Sequence, residues 1–340
     1  MELICPAGNM PSLKTALQNG ADAIYVGMNN TTNARNFSGL NFSESKLSSA
    51  INFTKQYNKK YRKHTSPARL FVAINTFPGA DNITQWQSAI DYAATLGVDA
   101  VILADIGLME YTNKRYPQLN IHVSVQASTT NIAAINFYHK NFNAKRAVLP
   151  RVLSLKQVQQ LAEASPIDLE VFGFGSLCIM AEGRCHLSSY LTSESPNLNG
   201  VCSPAKCVTW EESNGNKTSK LNGFLIDRFA PHEIAGYPTL CKGRFVAEGK
   251  ITHTIEEPTS LNTLSILPDL FKAGIKAIKI EGRQRSPAYV KQVTNIWRQA
   301  LDAYQNTPSH YRLNSNWIKR LDQLSEGSQT TLGAYNRPWQ

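Results

Sequence analysis

Short apolar runs alternate with amphipathic stretches along most of this chain. The runs are rich in aliphatic and β-branched residues, as buried strands are, and the stretches between them repeat apolar residues at helical spacing. Eight strand-like runs result: Leu3–Cys5, Ala23–Gly27, Leu70–Asn75, Ala100–Asp105, Ile121–Gln126, Arg146–Pro150, Leu169–Phe172 and Ile275–Glu281. Eight strands joined by helical crossovers predict an α/β fold of the (β/α)8 TIM-like barrel type.

Capping signals mark several of the helices between these strands. Asn41-Phe42-Ser43-Glu44 leads into one helix, and Ser154-Leu155-Lys156-Gln157 has the spacing of a capping box. Gly97 and Gly274 are placed to end helices just before strands four and eight. A last helix, Pro287–Tyr304, is expected to pack on the outside of the barrel.

The alternation is interrupted between the seventh and eighth strands. We therefore predict one barrel domain, residues 1–340, with an insertion at about 174–273. Within the insertion, Cys207–Glu212 and Leu221–Arg228 are predicted to form a β-hairpin through Ser213-Asn214-Gly215-Asn216. Because the loops after barrel strands lie at the carboxyl-terminal face, we expect the insertion there.

Strand alternation also predicts which side chains point into the barrel. Ile121, Val123, Val125, Ile278 and Ile280 should face the helices, whereas the inward set is Asn75, His122, Ser124, Gln126, Glu170, Lys279 and Glu281. Barrel interiors are normally apolar, so these polar residues need a reason. One is a satisfied buried network in which Lys279 pairs with Glu281 or Glu170. The other is a polar substrate cavity at the carboxyl-terminal mouth, and an ordered network can also line a pocket.

Composition narrows the class of protein. The chain has 340 residues, 42% of them hydrophobic, and no run approaches the roughly 20 apolar residues of a membrane span. The start, MELICPAGNM, does not resemble a signal peptide, so we expect a cytoplasmic protein. A formal charge of +10 suggests an acidic partner, either nucleic acid, an anionic small molecule or an acidic protein. The densest basic run, residues 58–64, is interpreted as a solvated surface.

Four cysteines lie after the seventh strand with the spacing Cys178-x6-Cys185-x16-Cys202-x38-Cys241. In a reducing compartment such thiols usually hold a metal. Spacing favours an iron–sulfur cluster and leaves structural zinc and buried or redox thiols open. Cys207 competes with Cys202 for the third position, and Cys5 is interpreted as a small packed residue at the barrel mouth.

The segment from Glu170 to Ser188, EVFGFGSLCIMAEGRCHLS, resembles the signature of the collagenase-like peptidase U family, number thirty-two. Shorter matches extend through the chain, at Cys5–Asn9, Gly20–Gly27, Ser124–Ser128 and Ile280–Arg283. Tyr237–Arg244 and the tail Thr331–Tyr335 look like the UbiU branch of that family. That branch works in oxygen-independent ubiquinone biosynthesis in bacteria.

The resemblance implies an iron–sulfur protein whose [4Fe–4S] cluster is held by Cys178, Cys185, Cys202 and Cys241. It also implies an oxygen-independent hydroxylase subunit that forms a heterodimer with a UbiV-like partner and acts on the ring of the ubiquinone precursor. Related members hydroxylate tRNA or rRNA bases, with prephenate implicated as the oxygen donor. Base hydroxylation and a non-catalytic electron-transfer subunit therefore remain open. Peptidase activity is not expected, because neither a Ser-His-Asp order nor a His-Glu-x-x-His helix is present.

Candidate site residues follow from this chemistry. The catalytic candidates are the inward-facing Lys279, Glu281, Glu170, His122 and Gln126. A donor that carries carboxylates calls for guanidinium groups at the mouth, and Arg283, Arg184 and Arg151 are the substrate-binding candidates. A surface or helix-capping role is an alternative for each arginine. Arg283 is the leading one, because it follows Lys279 and Glu281 directly.

Overall fold

The computed structural model describes residues 1–37, 39–178, 180, 184–196 and 201–336. Seven strands in the first 176 residues lie side by side in sequence order, and each runs parallel to its neighbours. They are β1 Glu2–Pro6, β2 Ala23–Gly27, β3 Arg69–Ile74, β4 Ala100–Leu103, β5 Asn120–Val123, β6 Arg146–Val148 and β7 Asp168–Ser176.

One later strand closes this sheet. The remaining strands are β8 Val208–Ser213, β9 Asn216–Leu221, β10 Phe224–Phe229, β11 Phe245–Ala247, β12 Lys250–Thr252, β13 Ser260–Asn262, β14 Ala277–Ile280 and β15 Thr330–Thr331. Strand β14 pairs in parallel with both β1 and β7, so that β1–β7 and β14 form a closed eight-stranded barrel. The predicted TIM-like fold is confirmed.

The connecting helices are α1 Met10–Gln18, α2 Glu44–Tyr61, α3 Ile83–Leu96, α4 Ile106–Arg115, α5 Ile132–Phe142, α6 Leu155–Ala164, α7 His186–Thr192, α8 Leu267–Lys272, α9 Pro287–Asn306 and α10 Ser315–Leu324. Their predicted ends are largely confirmed: Ser43 caps α2, Ser154 and Gln157 form the capping box of α6, and Gly97 ends α3 in a left-handed conformation. Helix α9 contacts α1 and β1 on the outside, as expected. Among the described helices, none is long and apolar enough to cross a bilayer.

Strand alternation separates two apolar layers, as predicted. One layer lies between the barrel and its helices and includes Val26, Ile278 and Ile280. The other lies inside the barrel and includes Tyr25 and Phe71. The polar residues predicted to face inward therefore share the interior with this second, smaller layer.

Several predicted strands were too long at their carboxyl ends. Strand β4 stops at Leu103 because Asp105 caps α4, its Oδ1 accepting a hydrogen bond from the Leu108 N–H at 2.9 Å. Strand β5 stops at Val123, and a 3₁₀ turn follows at Val125–Ala127. The prediction that Val125 faces the helices was wrong, since the change of backbone direction places it in an apolar cluster with Val148, Phe172 and Leu261.

The predicted hairpin was correct in its first turn and wrong in its second strand. Asn214 and Gly215, both with positive φ, join β8 to β9, which ends at Leu221. A second Asn-Gly turn, Asn222-Gly223, then leads into β10. The segment Leu221–Arg228 therefore crosses a turn, and β8, β9 and β10 form a three-stranded antiparallel sheet.

The chain returns to the barrel before β14. Strand β13 runs antiparallel to the last residues of β7, with Ser260 opposite Ser176, and the tail strand β15 pairs with β13. Because Ser176 ends β7, both strands lie at the carboxyl-terminal rim of the barrel. The C-terminal tail is thereby brought beside the mouth, where active sites of this fold lie.

Candidate active site at the barrel mouth

A buried ion-pair network occupies the middle of the barrel. The Lys279 Nζ lies 2.7 Å from the Glu170 Oε1, and the Arg146 Nη1 lies 3.4 Å from the other oxygen of Glu170. The Arg146 Nη2 forms two more ion pairs at the amino-terminal end of the barrel, with Glu2 at 2.8 Å and with Asp168 at 3.2 Å. The predicted pairing of Lys279 with Glu170 is present, and each charge of this network meets an opposite one.

His122 lies beside this network. Its ring packs edge-on against Phe71, with centroids 4.7 Å apart. Burial, followed by the positive charges of Arg146 and Lys279, lowers the pKa of His122 well below its ordinary value. The imidazole is therefore neutral, and its Nδ1 is buried without a hydrogen-bond partner among the described residues.

Glu281 lies one level higher, at the mouth, and is held by two arginines. The Arg151 Nη2 lies 2.6 Å from one carboxylate oxygen, and the Arg35 Nη2 lies 3.3 Å from the other. Burial alone would raise the pKa of Glu281, but the charges of Arg151 and Arg35 outweigh it and hold that pKa below its ordinary value. The Arg151 guanidinium also stacks on the Phe172 ring at 3.5 Å.

Arg283 is buried at the same level in a different environment. Its Nη1 donates to the Asn33 Oδ1 at 2.6 Å, and its guanidinium lies 5.5 Å from the Tyr25 ring centroid. No carboxylate of the described residues forms an ion pair with Arg283. Burial is the main cause that lowers the pKa of Arg283 to about 10. A Cβ on Gly27 would lie 2.4 Å from the Arg283 Nη1, so the arginine needs a glycine there.

Three polar residues complete the mouth. The Asn75 Nδ2 donates to the Ser124 Oγ at 3.1 Å, and its Oδ1 accepts from the Ala34 N–H at 3.1 Å. Gln126 is buried on the turn after β5, and its Oε1 has no hydrogen-bond partner among the described residues. Gln126 thus presents a buried acceptor that a ligand could satisfy.

Tyr25 contacts both the network and the mouth. Its hydroxyl donates to the Ile280 carbonyl at 2.9 Å, and its ring centroid lies 4.0 Å from the Lys279 Nζ and 5.5 Å from the Arg283 guanidinium. The structure therefore divides the candidate residues. Lys279, Glu170 and His122 belong to the network, whereas Glu281, Arg151, Arg283 and Gln126 belong to the mouth.

Arg184 lies apart from both groups. Its side chain is exposed, and its guanidinium lies 4.7 Å from the ring centroid of Phe77, which follows β3. Conversely, sequence reasoning missed Arg35 and Asn33, which contact Glu281 and Arg283. Both could have been predicted as site residues from the sequence, because they lie in the loop after β2 and such loops build the active sites of this fold.

Two of the four candidate metal ligands, Cys185 and Cys202, are linked through Ser188 of helix α7. Cys185 caps α7, its Sγ accepting from the Ser188 N–H at 3.4 Å, and the Ser188 hydroxyl donates to the Cys202 carbonyl. Burial raises the pKa of Cys241 to about 11, Lys242 opposes the rise, and the charges of Cys202 and Cys185 add to it. The Ser188 hydrogen bonds link the segments that carry Cys185 and Cys202.

Cys178 lies two residues after the end of β7, and its Sγ lies 3.6 Å from the Met180 carbonyl oxygen. The described residues contain no group of three or more His, Cys, Asp or Glu side chains arranged as metal ligands. The four thiols are nevertheless donors of the kind that a thiolate-bound metal takes.

The other two cysteines are packed in apolar surroundings. Cys207 is buried beside Leu221 and Ile226. Cys5 is buried beside Thr294, and burial raises the pKa of its thiol to about 12. A thiol with so high a pKa is a poor nucleophile, so Cys5 is unsuited to peptidase chemistry.

Comparison with known proteins gives a match over nearly the whole chain. The sequence model described as Peptidase family U32 matches residues 8–338. "tRNA hydroxylation protein P1" of Bacillus subtilis is 27% identical over 334 residues, which cover 97% of this chain and 70% of that protein. "tRNA hydroxylation protein P" of Helicobacter pylori is 31% identical over 324 residues, with 94% and 69% covered. "23S rRNA 5-hydroxycytidine C2501 synthase" of Escherichia coli is 28% identical over 303 residues, with 89% and 39% covered.

Proposed function

This chain belongs to peptidase family U32, and we propose that it takes part in the hydroxylation of a base in tRNA or rRNA. The match to the family includes every residue described above at the mouth, from Asn33 to Arg283. The proposal rests above all on the likeness, over nearly the whole chain, to relatives named for RNA hydroxylation. The formal charge of +10 agrees with an RNA substrate.

The mouth has groups suited to an anionic or ring-bearing ligand. Arg283 offers a buried guanidinium that lacks a carboxylate partner among the described residues, and Gln126 offers a buried acceptor. We assign Arg283 to binding a carboxylate or phosphate, and prephenate is the oxygen donor proposed for this position. Glu281, fixed by Arg151 and Arg35, is positioned to accept a hydrogen bond from the substrate ring.

We assign Cys178, Cys185, Cys202 and Cys241 to a [4Fe–4S] cluster beside the mouth. When bound, the cluster would supply one-electron chemistry for a hydroxylation that does not use molecular oxygen. Replacing any of the four with Ala should remove most iron and sulfide from anaerobically purified protein. Cys207→Ala and Cys5→Ala are the matched controls and should retain both. Zinc without sulfide in the wild type would support a structural metal instead.

The substrate is tested by deleting the gene and digesting total RNA to nucleosides. Mass spectrometry should show the loss of one nucleoside that carries an added oxygen and the gain of its unmodified parent. Expression of the wild-type chain should restore the modification, and the Arg283→Met variant should not. An unchanged nucleoside profile in a strain grown with and without oxygen would exclude RNA as the substrate.

A second candidate is oxygen-independent hydroxylation of the ubiquinone precursor ring in a heterodimer with a UbiV-like partner. It is favoured by the resemblance of Tyr237–Arg244 and Thr331–Tyr335 to the UbiU branch. Tyr335 packs against the apolar cluster of Val125 and Phe172 at the mouth, so one of these segments contributes to the site. The same deletion strain decides between the two candidates: a fall of ubiquinone only under anaerobiosis, with normal RNA, supports the second.

An activity assay on the isolated protein distinguishes an enzyme from an electron-transfer subunit. Hydroxylation by the purified chain, supplied with prephenate as the oxygen donor and with a chemical reductant that primes the cluster, would assign the chemistry to this chain. Activity that appears only with a second protein, and survives Glu281→Gln, would make this chain the electron-transfer subunit. Either activity is expected in the cytoplasm.

A further inference from the structure

Glu326 lies where the C-terminal tail meets the barrel rim. Its Oε1 accepts a hydrogen bond from the Ser176 hydroxyl at 2.9 Å, and its backbone N–H donates to the Ser260 Oγ at 3.0 Å. The Arg285 Nη2 lies 3.8 Å from the same carboxylate. These contacts join Glu326 to β7, to β13 and to the segment after β14. The carboxylate is thus fixed relative to the barrel.

The other oxygen of this carboxylate forms an ion pair with Lys242. The Lys242 side chain is only 11% exposed, and its charge contributes to lowering the pKa of Glu281 at the mouth. Its ammonium group therefore contacts the tail and is near enough to the mouth for its charge to act on Glu281. Lys242 directly follows Cys241, so this contact connects the cysteine region to the barrel.

Further hydrogen bonds hold the same turn, and their partners belong to the insertion itself. The Cys241 carbonyl accepts from the Glu256 N–H at 3.0 Å, and the His253 Nδ1 lies 3.0 Å from the Lys242 carbonyl oxygen. These bonds fold the turn Leu240–Lys242 without fixing its position relative to the barrel. The contact with Glu326 supplies that position.

The tail also packs closely against the segment before β13. Gly327 has φ +59°, and a Cβ at this position would lie 2.3 Å from the Pro258 carbonyl oxygen. A larger residue would push the tail away and carry Glu326 with it. The glycine therefore allows the short approach that brings Glu326 to Lys242.

We propose that Glu326 is a positioning residue whose ion pair with Lys242 sets the Cys241 turn against the barrel mouth. The inference rests on the proposed function in one respect, which is that Cys241 is taken as a cluster ligand. Glu326 would then act on the cluster through Lys242 and would touch neither cluster nor substrate.

The first test measures hydrogen exchange in the apoprotein by mass spectrometry, which does not depend on the cluster. Glu326→Gln keeps the shape of the side chain and removes the charge. Exchange of the amides from Thr239 to Arg244 should become about tenfold faster, as expected when one charge-assisted hydrogen bond is lost. Lys242→Met should have the same effect, and the double variant should be no faster than either single one. Glu110→Gln, which removes the exposed Glu110–Lys114 pair of α4, is the matched control and should leave this segment unchanged.

The second test examines the cluster after anaerobic reconstitution. Glu326→Gln should change the shape of the electron paramagnetic resonance spectrum and speed the loss of iron, whereas Glu326→Asp, which keeps the charge, should restore part of the wild-type behaviour. The midpoint of thermal unfolding of the barrel should stay unchanged, which separates positioning from a general structural role.

Unchanged exchange in both Glu326→Gln and Lys242→Met would overturn the inference, whatever metal is bound. Faster exchange in a protein whose wild type never binds a cluster would support the placement of the turn and refute the proposed cluster. A wild-type cluster that is insensitive to Glu326→Gln, despite faster exchange, would overturn the role of Glu326 in positioning the cluster.

Discussion

Lys279 and Arg283 are two buried cations four positions apart, and their surroundings differ. Lys279, in the middle of the barrel, lies 2.7 Å from the carboxylate of Glu170. Arg283, at the mouth, contacts the amide of Asn33 and faces the Tyr25 ring. A buried charge without a carboxylate is costly, whereas a paired one forms part of the structure.

The comparison teaches that a buried charge is a functional candidate when its countercharge is missing. In the middle of the barrel, charges are matched by charges, and the network extends to the amino-terminal face, where conserved structure in this fold serves stability. At the carboxyl-terminal mouth, Arg283 forms no ion pair with a carboxylate of the described residues, although the charge of Glu281 acts on it from a distance, and a ligand can supply the paired anion. Replacement of the two cations should therefore affect different properties.

The largest effect is expected when the network loses a charge. Glu170→Gln would leave Lys279 and Arg146 facing a neutral group, and breaking a buried pair from one side typically costs about 3–5 kcal/mol. Urea unfolding should show a loss of that size in the free energy of unfolding.

A paired replacement tests whether this loss comes from the unmatched charge. The double variant Glu170→Leu with Lys279→Met should recover part of the loss, because it removes a charge from each side. A loss below about 1 kcal/mol in Glu170→Gln would show that the network contributes little to stability and would remove the contrast with the mouth.

Sequence alone predicted the faces of the strands well, because the two-residue period of a strand fixes which side chains point inward. Lys279, Glu170 and His122 lie in the interior for that reason. Periodicity does not fix the height of a side chain or its partner across the barrel. The pairing of Lys279 with Glu170 and not with Glu281 therefore could not be predicted.

Contacts made by loops were harder to predict than the strands. Val125 lies at the mouth because the chain turns after Val123, and Arg35 meets Glu281 across 246 positions of sequence. Glu326 reaches Lys242 through a tail that no periodic pattern marks. Such contacts depend on tertiary packing, which local spacing does not encode.

The second prediction concerns Arg283 itself. Arg283→Met keeps most of the side-chain volume and removes the cation, so binding of prephenate should weaken by about 1.5–3 kcal/mol, the contribution of a charge-assisted contact. The free energy of unfolding should change by less than about 1 kcal/mol, because an unmatched buried charge is lost. Isothermal titration and urea unfolding measure the two quantities. A large loss of stability with unchanged binding would reverse the comparison.

The third prediction uses His122, whose pKa lies well below 6.5 in the folded protein. The unfolded chain takes up a proton near pH 6.5, whereas the folded one stays neutral. The stabilisation from this group is therefore present above pH 6.5 and lost as pH falls towards the folded pKa, by at most about 1.4 kcal/mol per pH unit. Urea unfolding between pH 7.5 and about pH 5 should show a smaller slope in His122→Phe. An equal slope in both proteins would mean that His122 takes up its proton in the folded barrel as readily as in the unfolded chain.

The smallest effect on ligand affinity and stability is expected from replacing Arg184. This residue shares one feature with Arg151. Both guanidinium groups lie over a phenylalanine ring, 4.7 Å from Phe77 and 3.5 Å from Phe172 respectively. Arg151 is also buried and paired with Glu281, whereas Arg184 is exposed, and exposed cation–π contacts contribute about 0.5–1 kcal/mol. Arg184→Ala should therefore change prephenate affinity and the free energy of unfolding by no more than this, while Arg151→Ala changes both by more. If Arg184→Ala weakens binding as much as Arg283→Met does, the ligand extends out of the mouth to Phe77, and burial without a countercharge does not by itself identify the residues that bind it.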